Sequence, residues 1–248
     1  MPYLLEANHL SKSFSGVSAL DDYTLRLTPL SIHGVIGPNG AGKTTLFNLL
    51  TGFLTPTTGT IRLAGRNITG QSADRVARLG VARTFQNIRL FGQLSVIENV
   101  KAALQSQSHV SLLGTLTSSP AFLRRERALE QGALDLLDRV GLAARRDQIA
   151  RAVALNPQIL MLDEPNAGMN PAETAELLTL IRRLRDELKI TIIMVAHDIP
   201  LVMNLCDRIQ VLNYGRLIAE GDPAAVRNNH EVIAAYLGTS LDDDRVTR

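Results

Sequence analysis

Three segments near the start of the chain alternate apolar and polar side chains and are separated by turn residues. They are residues 4–10, 19–27 and 59–64. A period of two places one face of a strand on a core and leaves the other face in solvent. We therefore predict an antiparallel β subdomain in this part of the chain.

Further along, short apolar runs alternate with longer segments of helical period. Buried strands are predicted at residues 32–36, 81–86, 159–162 and 190–196, followed by short strands at 208–212 and 217–220. Helices are predicted to begin at residue 42 and to span residues 72–79, 124–140, 148–155, 171–188 and 222–237. This alternation predicts an α/β fold, in which a parallel sheet is flanked by helices on both faces.

The length of 248 residues fits one large α/β domain with a subdomain. We predict that this domain covers residues 1–238 and that its helical subdomain lies at about 95–150. Residues 239–248 include three consecutive aspartates, Asp242 to Asp244, and are expected to form a disordered tail.

Composition narrows the range of partners. The 26 Lys and Arg residues nearly balance the 24 Asp and Glu residues, so the strongly basic face of a nucleic-acid-binding protein is not expected. The single cysteine, Cys206, rules out a disulfide within the chain and suits a reducing compartment.

The apolar run at residues 1–6 is too short for a signal peptide, and no segment has the roughly 18 apolar residues of a membrane span. Any crossing of a membrane would therefore need other subunits.

Residues 37–45 match the pattern G-x-x-x-x-G-K-[ST], which binds phosphate in nucleoside-triphosphate hydrolases. Glycines let the backbone curl until its N–H groups point at a phosphate, and the start of the next helix adds positive potential. Lys43 is predicted to reach the β- and γ-phosphates, and the Thr44 hydroxyl to bind Mg²⁺. The predicted contacts to ATP in this loop are Gly37, Asn39, Gly40, Ala41, Gly42, Lys43, Thr44 and Thr45.

Two carboxylates follow the apolar strand at 159–162. Asp163 is predicted to hold Mg²⁺ through water, and Glu164 to act as the general base on the attacking water. The alternative is a pair of acids that only caps the strand. Because a P-loop kinase or a small GTPase would not need a base here, the pair favours an ATPase that uses water.

Two further polar residues follow predicted strands. His197 comes after the strand at 190–196, where it is predicted to donate a hydrogen bond to the γ-phosphate, although a lone histidine is often structural. Gln86 ends the strand at 81–86, where its side-chain carbonyl can contact Mg²⁺ or the water. The segment after it contains Leu90 and Phe91, which fit ordinary packing and a docking surface equally well.

These motifs together resemble the ATP-binding subunit of an ABC transporter over nearly the whole chain. The most particular segments, residues 83–91, 95–100, 167–171 and 232–238, resemble the first of the two ATPase subunits of the branched-chain amino acid importer. The resemblance implies a dimer with two ATP molecules sandwiched head to tail, on the cytoplasmic face of the membrane. It also implies two integral membrane subunits and a solute-binding protein as partners.

The resemblance assigns roles to individual residues as well. It implies that the segment after Gln86 docks a coupling helix of the membrane subunit. It implies that Asn170 lies in a loop that contacts the partner ATPase, and that Phe14 stacks on adenine.

The family's signature, Leu-Ser-Gly-Gly-Gln or a close variant, is missing. It should precede the helix that leads to Asp163, yet residues 142–158 contain no such motif, and roughly a dozen residues are lacking upstream of Ile149. In the family this loop binds the γ-phosphate held by the other subunit, so a homodimer of this chain would have no element to close its sites. Arg145 and Arg146 could offer charges there, but not a ring of backbone amides. We therefore favour a heterodimer with one competent site, and the alternative is a nucleotide-binding or regulatory subunit with impaired hydrolysis.

Two further expectations follow from the resemblance. Leu30 stands where the family usually has glycine, in a turn that favours positive φ, so we expect strain that costs stability more than function. Branched-chain amino acids are the solute implied, while amides, urea and other polar amino acids stay open. A non-transport, nucleic-acid-linked ABC ATPase is disfavoured because neither a coiled-coil insertion nor a second ATPase core is present.

Overall fold

The computed structural model describes residues 3–84, 100–101, 104, 124, 128–135 and 146–241. Most of the predicted helical subdomain lies outside these residues, as do Gln86, the segment after it and Arg145. Within that subdomain, residues 128–135 are helical, in agreement with the helix predicted at 124–140.

The described strands and helices follow the predicted order. The strands are β1 (Leu5–Phe14), β2 (Val17–Leu27), β3 (Ile32–Ile36), β4 (Thr58–Leu63), β5 (Arg66–Asn67), β6 (Val81–Arg83), β7 (Ile159–Asp163), β8 (Thr191–Val195), β9 (Arg208–Asn213) and β10 (Arg216–Gly221). The helices are α1 (Lys43–Leu50), α2 (Ala73–Arg78), α3 (Arg146–Ala154), α4 (Pro171–Asp186), α5 (Ile199–Leu205), α6 (Pro223–Arg227) and α7 (His230–Leu241).

The strands form the two sheets that the patterning predicts. One is antiparallel, with the order β2-β1-β4-β5, and the other has the order β10-β9-β3-β8-β7-β6. In the second sheet the strands from β9 to β6 are parallel, and only the edge strand β10 pairs antiparallel, with β9. The predicted antiparallel subdomain and parallel sheet are both confirmed.

The largely apolar strands of the parallel sheet contribute side chains to two separate cores. In β7, Leu160 and Leu162 belong to a core that includes Leu177 and Ile181 of α4. Ile159 and Met161 of β7 belong to a second core, which includes α1 and the buried face of the antiparallel sheet. Because side chains of a strand alternate between faces, a strand covered on both sides is apolar at most positions.

The helical section predicted at 222–237 consists of two helices, α6 and α7, separated by Asn228 and Asn229. The Asn229 side chain accepts a hydrogen bond from the backbone N–H of Glu231, and such side-chain bonds compete with continuation of a helix. In addition, α7 continues to Leu241, past the start of the predicted tail.

Candidate functional site

The predicted phosphate loop runs from the end of β3 to the start of α1, as the motif requires. At Gly42, which precedes α1, φ is 103°, and an added Cβ would lie 2.5 Å from the carbonyl oxygen of Ala19. At Gly37 an added Cβ would lie 2.1 Å from the carbonyl oxygen of Leu212. Both positions therefore exclude a side chain because neighbouring backbone approaches too closely.

Lys43 lies inside this loop with only 6% of its surface exposed. Its Nζ donates hydrogen bonds to the carbonyl oxygens of Gly37 (2.7 Å) and Pro38 (2.8 Å). Burial lowers the pKa of Lys43, and the charges of Glu164 and Asp163 act in the opposite direction. The ammonium group thus lies between the loop and two carboxylates, where an anionic phosphate could replace the carbonyl oxygens as its partner.

The carboxyl ends of β7 and β8 bring Asp163, Glu164 and His197 to one edge of the sheet. The two strands pair in parallel, with Asp163 opposite Val195. Glu164 follows with a φ of 46° and donates its backbone N–H to the carbonyl oxygen of Val195 at 2.8 Å. A positive φ at a residue other than glycine is costly, so the surrounding structure must hold this carboxylate in place.

Glu164 and His197 form a close pair. His197 Nε2 lies 2.5 Å from Glu164 Oε1, and the two side chains are 45% and 26% exposed, respectively. The two atoms are close enough to share a hydrogen bond, in which Nε2–H would donate to the carboxylate oxygen. The structure thus brings together the predicted base and the predicted histidine.

A side-chain hydrogen bond joins the two segments that follow β7 and β8. Asn166 Nδ2 donates to Asp198 Oδ2 at 3.0 Å, which joins the segment after Glu164 to the segment after His197. Asp198 Oδ1 accepts from the backbone N–H of Leu201 and so caps the start of α5. Neither Asn166 nor Asp198 was among the residues predicted from the sequence, although an Asp before an apolar helix is a usual capping signal.

Arg83 is a further residue that sequence reasoning missed. It ends β6 and forms an ion pair with Asp163, in which Nη2 lies 2.7 Å from Oδ2. The Arg83 and Asp163 side chains are 5% and 14% exposed. The sequence did contain a signal for Arg83, because it is a charged residue at the end of an otherwise apolar strand.

Phe14 lies at the β1–β2 hairpin, where it is 44% exposed. Lys12 Nζ is 5.2 Å from the centre of its ring. The hairpin runs past the loop, because the Ala19 carbonyl of β2 lies against Gly42. Phe14 is thus an exposed aromatic ring in the hairpin whose second strand contacts the loop at Ala19.

The other predicted loop contacts differ in exposure. Asn39, Gly40 and Thr44 are exposed, so their polar groups are accessible to a ligand, whereas Thr45 is partly buried and Ala41 is buried. Among the described residues, no cluster of three or more His, Cys, Asp or Glu side chains could hold a metal ion by itself. The hydroxyl and carboxylate available here suit a hard cation that also binds phosphate oxygens, as Mg²⁺ does.

Within the residues that the structure describes, no helix is both long enough and apolar enough to cross a membrane.

Comparisons with known proteins agree with this geometry. Residues 20–167 match the ABC transporter family, and residues 216–242 match the family described as the branched-chain amino acid ATP-binding cassette transporter. The chain is 45% identical to the high-affinity branched-chain amino acid transport ATP-binding protein LivG of Escherichia coli K12, over 95% of this chain and 98% of LivG. It is 43% identical to BraF of Pseudomonas aeruginosa, a protein of the same description, over 95% of this chain and 98% of BraF.

A solved structure shares the fold. It is the ADP conformation of MJ1267, an ATP-binding cassette of an ABC transporter, with a TM-score of 0.80 and 25% sequence identity. The match covers 95% of this chain and 98% of that chain.

Proposed function

Because this chain belongs to the ABC transporter family of ATP-binding cassettes, we propose that it is the ATP-hydrolysing subunit of an importer for branched-chain or related amino acids. The observation that carries the proposal is the meeting of the Lys43 loop, Asp163 and the Glu164–His197 pair at one sheet edge. The similarity to LivG and BraF supports the class of solute.

The arrangement supports water attack on the γ-phosphate of ATP. The loop amides and Lys43 would bind the β- and γ-phosphates, and Phe14 would stack on adenine. Mg²⁺ would neutralise phosphate charge, held by Thr44 and Gln86 and, through water, by Asp163. Glu164 would accept the proton of the attacking water. His197 Nε2–H, which lies beside Glu164, would turn to donate a hydrogen bond to the γ-phosphate once ATP is bound.

We propose that the partner ATPase subunit is a different chain. The signature that should close a nucleotide site is missing from residues 142–158. The alignment with LivG is 249 positions long but includes only 95% of the 248 residues of this chain, so some of its positions are gaps in this chain. These gaps support a deletion. A sister subunit with an intact signature would complete the site formed by Lys43, Asp163 and Glu164.

The remaining partners follow from the same proposal. Two integral membrane subunits would carry the translocation pathway, and a solute-binding protein would deliver the amino acid. The chain would then act as a peripheral subunit on the cytoplasmic face of the membrane. Purifying it with its membrane subunits and identifying the associated solute-binding protein would test the solute class directly.

Hydrolysis by the chain alone and with its sister subunit tests the ATPase proposal. We expect turnover only in the mixture, and we expect Glu164→Gln in this chain to lower it by about 100-fold while ATP still binds, because only the general base is lost. Glu176→Gln is the matched control, since Glu176 is an exposed acid on α4.

Two different outcomes would contradict parts of this proposal. Turnover by the chain alone that Glu164→Gln abolishes would contradict the need for a sister subunit. Nucleotide binding without turnover in any combination would favour the second candidate function, a hydrolysis-impaired nucleotide-binding or regulatory subunit. The missing signature is the observation that supports this second candidate.

A further inference from the structure

The buried side chain of Arg83 connects three elements beneath the phosphate site. From β6, Nη2 donates to Asp163 Oδ2 of β7 at 2.7 Å, and Nη1 donates to Asn48 Oδ1 of α1 at 2.7 Å. The guanidinium carbon also lies 5.4 Å from the centre of the Phe47 ring. One planar group thus fixes the end of β7 against the helix that begins at the phosphate loop.

Stability alone is a weak reason for this arrangement. Removing two charges from water is costly, and apolar residues of similar volume often replace a buried ion pair without loss of stability. Asp163 is 14% exposed and Arg83 is 5% exposed, so both charges are largely removed from solvent. An arginine here is better explained by a need for an ionised carboxylate in a fixed orientation.

We propose that Arg83 is a positioning residue for the Mg²⁺ site, acting through Asp163; this inference rests on the metal-binding role proposed for Asp163. Among the described residues, the side-chain hydrogen bond to this carboxylate goes to Oδ2, which leaves Oδ1 for a metal-bound water. The other terminal nitrogen of the guanidinium, Nη1, donates to Asn48 and so holds the guanidinium in place. Ligands held in this way bind metal better because their orientation is set before the metal arrives.

Nucleotide binding at a series of Mg²⁺ concentrations tests the proposal without using hydrolysis. The full-length chain is titrated with ATP, with and without Mg²⁺, and the Mg²⁺ concentration that gives half of the gain in ATP affinity is recorded. In Arg83→Met we expect this concentration to rise by about tenfold, while the affinity for ATP without Mg²⁺ stays unchanged.

Two further variants separate positioning from folding. Arg83→Lys should fall between wild type and Arg83→Met, because an ammonium group keeps the charge but cannot span Asn48 and Asp163 together. Arg185→Met is the matched control, since Arg185 is also ion-paired, with Asp186 and Asp207, but on α4 away from the loop. Thermal unfolding of every variant shows whether the fold is kept, and Arg83→Lys carries the test if Arg83→Met unfolds.

A comparison with Asp163→Asn distinguishes this inference from the proposal beneath it. If Asp163→Asn raises the Mg²⁺ requirement and Arg83→Met adds nothing in that background, Arg83 acts through Asp163. If Asp163→Asn raises the requirement but Arg83→Met and Arg83→Lys match the control, the positioning role is wrong. If Asp163→Asn itself changes nothing, the metal role of Asp163 fails and the inference fails with it.

Discussion

His33 shows how a single buried residue can set the pH dependence of stability. It lies in β3, the strand that leads to the phosphate loop, and is 1% exposed. Burial lowers its pKa to about 4; Glu220, Gln210 and Asp207 act in the opposite direction, and Arg208 acts with burial. The folded chain therefore keeps this imidazole neutral where an unfolded chain would bind a proton.

We expect stability to fall as the pH decreases from 6.5 to about 4. In this range the unfolded state binds a proton at His33 and the folded state does not, so protons favour unfolding by up to about 3 kcal/mol. Urea unfolding at several pH values measures this change. Between pH 6.5 and about 4, the free energy of unfolding of His33→Gln should fall by about 3 kcal/mol less than that of the wild type. The exposed His230 supplies the control, since His230→Gln should keep the wild-type pH dependence. Equal pH dependence in wild type and His33→Gln would contradict this prediction.

Leu30 adopts the positive φ that was expected because the family usually has glycine at this position. Its φ is 58°, and its side chain is partly exposed in the turn before β3. Its backbone N–H donates to Thr191 Oγ1 at 2.9 Å, which holds the turn against β8. The conformation costs about 1 kcal/mol for a residue with a Cβ and little for glycine.

We therefore expect Leu30→Gly to be more stable than Leu30→Ala by about 1 kcal/mol, since both lose the side chain but only alanine keeps the strain. Chemical denaturation measures the difference. Val17 is the control, because it is 71% exposed in the extended strand β2. There the order should reverse, with Val17→Ala more stable than Val17→Gly. If Leu30→Ala is as stable as Leu30→Gly, or more stable, backbone strain at Leu30 is ruled out.

At the scale of elements, the start of α4 is fixed by a capping box. Asn170 Oδ1 accepts from the backbone N–H of Glu173 at 2.9 Å, and Glu173 Oε2 accepts from the backbone N–H of Asn170 at 2.9 Å. Pro171 occupies the first helical position, where no N–H is needed. The residue that the family resemblance assigns to contact with the partner subunit is thus also a helix cap.

Asn170→Ala should lower the unfolding free energy of the isolated chain by about 1 kcal/mol, because the cap bond to Glu173 is lost. Asn170→Ser should restore most of it, since a serine hydroxyl can accept the same bond. If Asn170 also contacts the sister subunit, Asn170→Ser will fold like wild type but hydrolyse ATP more slowly in the mixture. Full activity of Asn170→Ser would limit Asn170 to its capping role.

At the scale of the whole molecule, the missing signature would make a pair with the proposed sister subunit asymmetric. The site of this chain would face an intact signature, whereas the sister's site would face residues 142–158, which lack one. In the mixture, Glu164→Gln should therefore remove nearly all turnover, while the equivalent substitution in the sister should change it little. Equal losses from both substitutions would contradict the asymmetry. Inserting the LivG residues at the gap should make the sister's site active and raise turnover.

The sequence alone determined the fold class and the main polar residues of the site. A strand covered on both faces needs apolar residues at most positions, and a phosphate loop needs glycine where backbone lies too close for a side chain. These are local demands on residue type, so they are visible in β7, β8, Gly37 and Gly42. The positive φ of Leu30 was predicted on a different basis, because the family resemblance places glycine at this position.

Only the tertiary structure decided how distant segments use one another's side chains. Arg83 and Asp163 are far apart in the chain, and their ion pair depends on the neighbouring positions of β6 and β7 in the sheet. The Asn166–Asp198 bond and the neutral state of His33 likewise arise from packing between strands and loops. Burial and pairing depend on which elements become neighbours, and no local pattern of residues encodes that choice.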